Sequence, residues 1–216
     1  MEKTVHLLKG FEELTSETFV LLFERKGFVF TPGQYVVLRD PESGEGREYS
    51  IYSSIRDEEL SFLVRKVKGG AFSRFLMHLK IDSPMYIEGP AGFFILDEAS
   101  RIGHPLLFIG TGTGISPFRS FVRSYPDLNY KVLHGVHFAD EAYGKAAFNP
   151  IRHCLCTSRE EKGDYFGRVS YYLKEYPVDP GTICYLCGNS GMIEDVTNIL
   201  EEYHIPPEHI RTEVFF

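Results

Sequence analysis

The chain changes its residue pattern once, near residues 97–104, and that change limits its possible folds more than any other feature. Before it, "ETFVLLFER", "FVFTPGQYVVLRD", "REYSIYSS", "LSFLVRKV" and "PMYIEGPAGFFIL" are rich in β-branched and aromatic residues. Pro-Gly, Asp-Pro and Gly-Gly signals bound these runs, so they read as strands joined by turns. Strands at this spacing predict a small antiparallel β-barrel. A short helix at "SRFLMHL" interrupts them, with Ser73 as its expected N-cap. After "DEASRIGH" strands and helices alternate. "PLLFIG" reads as a buried strand and "SPFRSFVRSY" as a helix, with Phe118, Phe121, Val122 and Tyr125 on one face. Ser116 is the expected cap of that helix, and Pro117 suits its first position. "YKVLHGVHF" is a further strand; "TICYLCGN" is another, feeding a helix striped by Ile193, Val196, Leu200 and Tyr203. Such alternation predicts an α/β domain with a parallel sheet between helices. The expectation is therefore two domains, 1–98 and 102–216, which a 216-residue chain accommodates.

The formal charge of −7 argues against general nucleic-acid binding, which needs an excess of Lys and Arg. Neither the N-terminal stretch "MEKTVHLLKGFEEL" nor "PLLFIGTGTGISPF" is a long enough apolar run for a signal core or a membrane span. The expected location is the cytoplasm. The cysteines, Cys154, Cys156, Cys184 and Cys187, form a CxC and a CxxC. Zinc is disfavoured because the CxxC lies in an apolar strand pattern and no second pair has ribbon-like spacing. No metal site is expected.

"GTGTGISPF" sits between a strand and a helix, where α/β sheets bind ligands beyond the carboxyl ends of their strands. Gly110, Gly112 and Gly114 would let backbone approach a pyrophosphate, and the helix start offers unpaired N–H groups. The loop is neither the Rossmann GxGxxG, since Ile115 stands at the last glycine, nor a P-loop. A bare strand-to-helix turn needs fewer glycines. "CGNSGMI" repeats the context, so two such loops would flank one crevice, although taken alone Cys187 reads as an inert buried thiol. In "REYSIYSS" alternation would put Tyr49, Ile51 and Ser53 on one face and Glu48, Ser50, Tyr52 and Ser54 on the other. A cation, a flat ring and a hydroxyl within four positions make a ligand one candidate explanation.

In chain order, "REYS", "GGAFS", "GPAGFF", "GTGTGISP", "SRE…GR", "CGNSGMI" and the terminal "EVFF" resemble the ferredoxin–NADP reductase family, bacterial ferredoxin/flavodoxin reductases most of all. The resemblance implies FAD on the barrel. Arg47 would pair with its pyrophosphate, Tyr49 would pack on the flavin and ribityl region, and Ser50 would sit beside flavin N5. The backbone at Val64, Lys66 and Val67 would face the flavin side, and Gly70, Ala71, Phe72 and Ser73 would form a second phosphate loop. Gly112, Thr113 and Gly114 would approach the pyrophosphate of NADP, with Thr113 also near FAD; Cys187, Gly188 and Met192 would lie toward the nicotinamide end. Ser50, Cys187 and Glu213 would be the catalytic groups, and Phe215 or Phe216 would cover the flavin face, where the family carries Tyr.

The resemblance also implies that Ser158, Arg159 and Arg168 hold the 2′-phosphate, which favours NADPH; His137 stands where bacterial relatives often carry an arginine. A neutral imidazole is the weaker phosphate ligand near pH 7. The expected partner is ferredoxin or flavodoxin, met transiently, with Arg65, Lys66, Lys68 and Arg74 as docking cations. The nearest rival is an NADH-dependent reductase or electron-transfer subunit serving an oxygenase. A more distant rival is a nucleotide-binding module without turnover.

Overall fold

A computed structural model describes residues 3–215, which divide into two compact units. The first runs to Ile95 and also takes in Arg119–Ser124; the second comprises Leu96–Phe118 and the chain from Tyr125 onward.

The first unit is a six-stranded antiparallel sheet of β1 (Lys3–Thr15), β2 (Thr18–Glu24), β3 (Tyr35–Arg39), β4 (Gly46–Ser50), β5 (Glu59–Arg65) and β6 (Pro84–Ala91), in the order β4-β3-β6-β1-β2-β5. Strand β1 spans the sheet: its first half pairs with β6 and its second with β2. Past β4 the backbone turns back to β5, where Tyr52 N–H donates to the Ser61 carbonyl at 2.9 Å, so the two edge strands meet and the sheet closes. Alternation in "TFVLLFE" and "ELSFLVR" sends Phe19, Leu21, Phe23, Leu60, Phe62 and Val64 inward with Leu8, Leu38 and Ile51. Each such fully buried side chain stabilises the barrel by roughly 1.5–3 kcal/mol.

Two local expectations are corrected here. Helix α1 spans Ala71–Met77 and starts two residues before Ser73, with Gly70 as N-cap and no side-chain cap. The Ser73 hydroxyl accepts instead from Val67 N–H at 3.0 Å, tying the preceding loop to the helix. Nor does strand alternation continue through "REYSIYSS". Strand β4 ends at Ser50, and Ile51, Tyr52, Ser53 and Ser54 are all buried. The reason lies in residues 119–124, which pack on this segment. Arg119 lies 4.0 Å over the Tyr52 ring and donates to its carbonyl, the Ser120 hydroxyl donates to the Ser53 carbonyl at 2.7 Å, and Ile55 N–H donates to the Ser124 hydroxyl at 3.1 Å. The small hydroxyl residues satisfy buried backbone, which an alternating strand could not do.

The second unit is a six-stranded parallel sheet of β7 (Leu106–Thr111), β8 (Tyr130–Val136), β9 (His153–Thr157), β10 (Tyr165–Phe166), β11 (Ile183–Gly188) and β12 (Ile210–Val214). Its order is β10-β9-β8-β7-β11-β12. The chain builds outward from β7 to β10 and then returns to β7's other side, so strand order reverses between β7 and β11. Helices α2 (Glu98–Gly103), α3 (Ser116–Ser124), α4 (Val169–Glu175) and α5 (Ser190–Glu202) connect the strands. Helix α3 follows a 3₁₀ turn over Gly112–Ile115, and Ser116 does not cap it: its hydroxyl donates back to the Thr113 carbonyl at 2.7 Å. Among the described residues no helix is long and apolar enough to cross a membrane.

Two buried histidines sit together in this sheet, His134 on β8 and His153 at the start of β9, their rings 6.1 Å apart and nearly perpendicular. Burial pushes His134 down to about 3 and His153 down to about 4. The unfolded chain, titrating near 6.5, therefore binds protons that the folded chain refuses, and stability is lost as pH falls from about 6.5 toward 4. Each ring contributes a slope of up to about 1.4 kcal/mol per pH unit in that window. Denaturant unfolding at pH 7 and pH 5 checks this: stability should fall at pH 5, and His153→Phe should flatten the dependence.

Candidate functional site

Ligands of open α/β sheets bind at the carboxyl ends of the strands where strand order reverses, here the ends of β7 and β11. The glycine loop follows β7, and Cys187 and Gly188 end β11. The two loops touch. A Cβ built on Gly114 would lie 2.3 Å from the Cys187 carbonyl oxygen, and one on Gly188 would lie 2.4 Å from the Thr111 hydroxyl, so any side chain is excluded at both positions. Gly188 also has φ +133°. Gly114 thus answers first to the approach of one loop to the other. Asn189 N–H donates to the Thr111 hydroxyl at 3.2 Å, and the Asn189 side chain caps α5 by accepting from Gly191 and Met192 N–H.

Parallel pairing of β11 with β12 sets Cys187 opposite Glu213, and the thiol donates to Glu213 Oε2 at 3.8 Å. Burial first, and the Glu213 charge second, push the Cys187 thiol well above its ordinary value. It is a protonated donor and not a thiolate nucleophile. Phe215 N–H donates to the Gly188 carbonyl at 2.9 Å, which ties the end of the chain to the same place. Phe216 lies outside the described residues.

Farther along the sheet edge, Thr157 pairs with Phe166, so Arg159 and Arg168 each stand two residues beyond a paired position on adjacent parallel strands. Both are exposed, and among the described residues neither guanidinium has a carboxylate partner. Ser158 is half-buried, and its hydroxyl lies 3.1 Å from His137 Nδ1. Glu141 accepts from His137 and Phe138 N–H, and Glu160 from Ala139 N–H. Glu160 borders a cavity of about 330 Å³ that it lines together with Phe138, Ala139, Asp140 and Lys162.

In the barrel unit, Ser50 is buried and Tyr49 is half-buried with its ring 6.5 Å from that of Phe72. Burial raises the Tyr49 phenol to about 12, partly offset by the Arg47 charge, and among the described residues its hydroxyl has no partner. A tyrosine so placed usually finds one. Arg47 is 61% exposed and pairs with Glu45 at 2.9 Å, a surface contact worth at most about 1 kcal/mol and readily exchanged for a phosphate. Beside the strand, the N–H groups of Lys66 and Val67 are already taken, by the Glu17 carbonyl and the Ser73 hydroxyl. Those residues offer a ligand only their remaining backbone and side chains. Val64 is buried in the barrel core, paired with Phe19. An unpartnered phenol, an exchangeable guanidinium and a hydroxyl-tied loop at Gly70–Ser73 fit a phosphate-bearing aromatic cofactor, as the cradle at Gly112–Gly114 fits a dinucleotide.

Barrel and parallel sheet together define the architecture of a two-domain flavin and nicotinamide-nucleotide oxidoreductase. The family model described as "Oxidoreductase FAD-binding domain" matches residues 12–95, and that described as "Oxidoreductase NAD-binding domain" matches residues 108–198. Ferredoxin–NADP reductase B of Sorangium cellulosum is 30% identical, with 89% of each chain covered. The chain belongs to the ferredoxin–NADP reductase family. The electron transfer component of toluate 1,2-dioxygenase from Pseudomonas putida is 32% identical over 86% of this chain; the match spans 59% of that relative's length, and the chain reaches about three fifths of the oxygenase relatives it matches. A ferredoxin–NADP⁺ reductase structure from Neisseria gonorrhoeae superposes over the whole of both chains with a TM-score of 0.89 at 22% identity.

Sequence reasoning named Gly114 and Cys187 but not Glu141, nor Thr111, His134 and Glu160, whose partners are backbone groups far along the chain. Only the first threonine of "GTGTG" carried a local signal. Gly114→Ala tests the loop contact: overpacking should cost about 1–3 kcal/mol. Thermal unfolding and dinucleotide titration should both worsen, while flavin content stays near wild type.

Proposed function

We propose that the chain is an FAD-dependent oxidoreductase that moves hydride between NADPH and flavin, and single electrons to or from a ferredoxin or flavodoxin. The observation that carries this reading is the meeting of Gly114, Cys187 and Glu213 at the strand-order reversal. It supports a pyrophosphate loop and a nicotinamide-facing thiol in one place.

FAD, when bound, supplies the exchange between a two-electron hydride donor and one-electron carriers. The protein's part is placement. Arg47 would meet the FAD pyrophosphate, Tyr49 would pack along the flavin and use its spare hydroxyl, and Ser50 would stand beside N5, a small side chain that leaves room for a second ring. Gly70, Ala71, Phe72 and Ser73 would hold the phosphate side. On the other unit Gly112, Thr113 and Gly114 would receive the dinucleotide pyrophosphate. Cys187, uncharged, would bear on the nicotinamide without attacking it, while Gly188 and Met192 shape the space around it. Glu213 would keep a proton within the thiol's hydrogen bond. Phe215 or Phe216 would cover the flavin. Ser158, Arg159 and Arg168 would hold the 2′-phosphate through charge-assisted hydrogen bonds.

Arg65, Lys66, Lys68 and Arg74 gather where β5 runs into α1 and would face an acidic electron carrier, although the whole chain carries −7. The same reading places the protein in the cytoplasm, where its four free cysteines stay reduced.

One observation favours a second reading. His137 stands in place of a permanent cation, and Glu141 and Glu160 hold the adjacent N–H groups, an arrangement less welcoming to a 2′-phosphate. That supports an NADH-dependent reductase; service to an oxygenase would match the similar protein named toluate 1,2-dioxygenase electron transfer component.

Anaerobic titration with each nucleotide, following the flavin's visible band, separates the readings. NADPH should bleach it at concentrations at least about tenfold below NADH, and Arg168→Ala should remove that margin while leaving NADH unchanged. Equal or NADH-favoured bleaching would sink the 2′-phosphate assignment and move the second reading ahead, and a colourless protein would end both.

A further inference from the structure

His134 is fully buried on β8, directly opposite Gly110 of β7, and reaches past it to the glycine loop. Its Nε2 lies 2.9 Å from the Gly112 carbonyl oxygen. A carbonyl only accepts, so the proton of this ring sits on Nε2. Nδ1 is bare and has no partner among the described residues. Tyr143 at 6.4 Å and His153 at 6.1 Å flank the ring and hold its plane. A buried histidine with one nitrogen left unpartnered is costly.

The consequence lies in the next peptide. In a planar trans peptide the C=O and N–H point in opposite directions. Drawing the Gly112 carbonyl toward the ring therefore aims the Thr113 N–H away from it. Thr113 lies in the first turn of a helical segment, where N–H groups lack intrahelical partners and are available to an anion. Gly112 adopts φ +52° to make this turn.

We propose that His134 is a positioning residue for dinucleotide binding: its Nε2–H sets the Gly112–Thr113 peptide so that the Thr113 N–H serves the pyrophosphate. This rests on the reading that the glycine loop receives that group. His134 touches neither substrate nor reacting atoms. Its contribution is to hold a peptide that glycine would otherwise leave free to flip.

The test uses the full flavin-loaded chain. Nitrogen-15 NMR of labelled histidine should show His134 as a neutral ring protonated on Nε2, with that signal moving when NADP⁺ is added. His134→Phe keeps the bulk and removes the donor; it should raise the NADP⁺ Kd and the NADPH KM about tenfold. The rate at saturation and the FAD content should stay within about twofold of wild type, a split expected of lost ground-state and transition-state binding alike. His134→Gln, which keeps a donor at the Nε2 position, should recover most of the affinity. A proton on Nδ1, wild-type affinity in His134→Phe, or a glutamine variant as weak as the phenylalanine one would overturn the proposal. If His134→Phe does not fold, the tautomer decides. A wild-type protein that binds no NADP⁺ would instead remove the dinucleotide reading beneath it.

Discussion

The crevice proposed for the second unit is built on one close approach, the backbone of Gly114 against the backbone of Cys187 and Gly188. It is possible because strand order reverses between β7 and β11, making two sequence-distant loops neighbours at the same sheet edge. It also requires two residues without side chains, since a methyl group at either would overlap its neighbour by about 1 Å. Beside that contact lie the capping of α5 by Asn189, the bond from Asn189 N–H to Thr111 and the bond from Phe215 N–H to the Gly188 carbonyl. Parallel pairing then places Glu213 beside Cys187. The thiol stays protonated because it is buried next to a carboxylate, which suits a group that orients a ring and does not attack it.

The barrel unit solves a different problem. Its strands alternate and bury Phe, Leu and Val, yet the stretch after β4 must leave the strand while remaining buried. Serine hydroxyls and residues 119–124 take up the backbone groups that a ladder would have satisfied. This leaves Tyr49 and Ser50 at the last two regular positions of the strand, with Tyr49 half-open and its phenol unpartnered among the described residues. Ser73 plays the matching part on the other side, holding the loop before α1 by a bond to Val67.

Much of this was legible in the chain itself. The change of pattern near residue 100 announces a β unit followed by an α/β unit, because strand alternation and helical periodicity are local properties. "GTGTGISP" and "CGNSGMI" mark loops at strand ends for the same reason. The hydroxyl residues were harder. Ser73 and Ser116 both look like helix caps, since a serine before an apolar run usually is one, but each bonds to a backbone group in the turn before it. Which group a hydroxyl reaches depends on how the preceding turn closes, and that is settled by packing.

Local composition determined the two units, the strands and helices within them, and the glycine positions where a side chain has no room. It also placed guanidinium groups at Arg47, Arg159 and Arg168. Only the tertiary structure decided which of these meet. It set Gly114 on Cys187, Cys187 on Glu213 and His134 under Gly112, because strand order and register are agreements between segments distant in the chain that no single window contains.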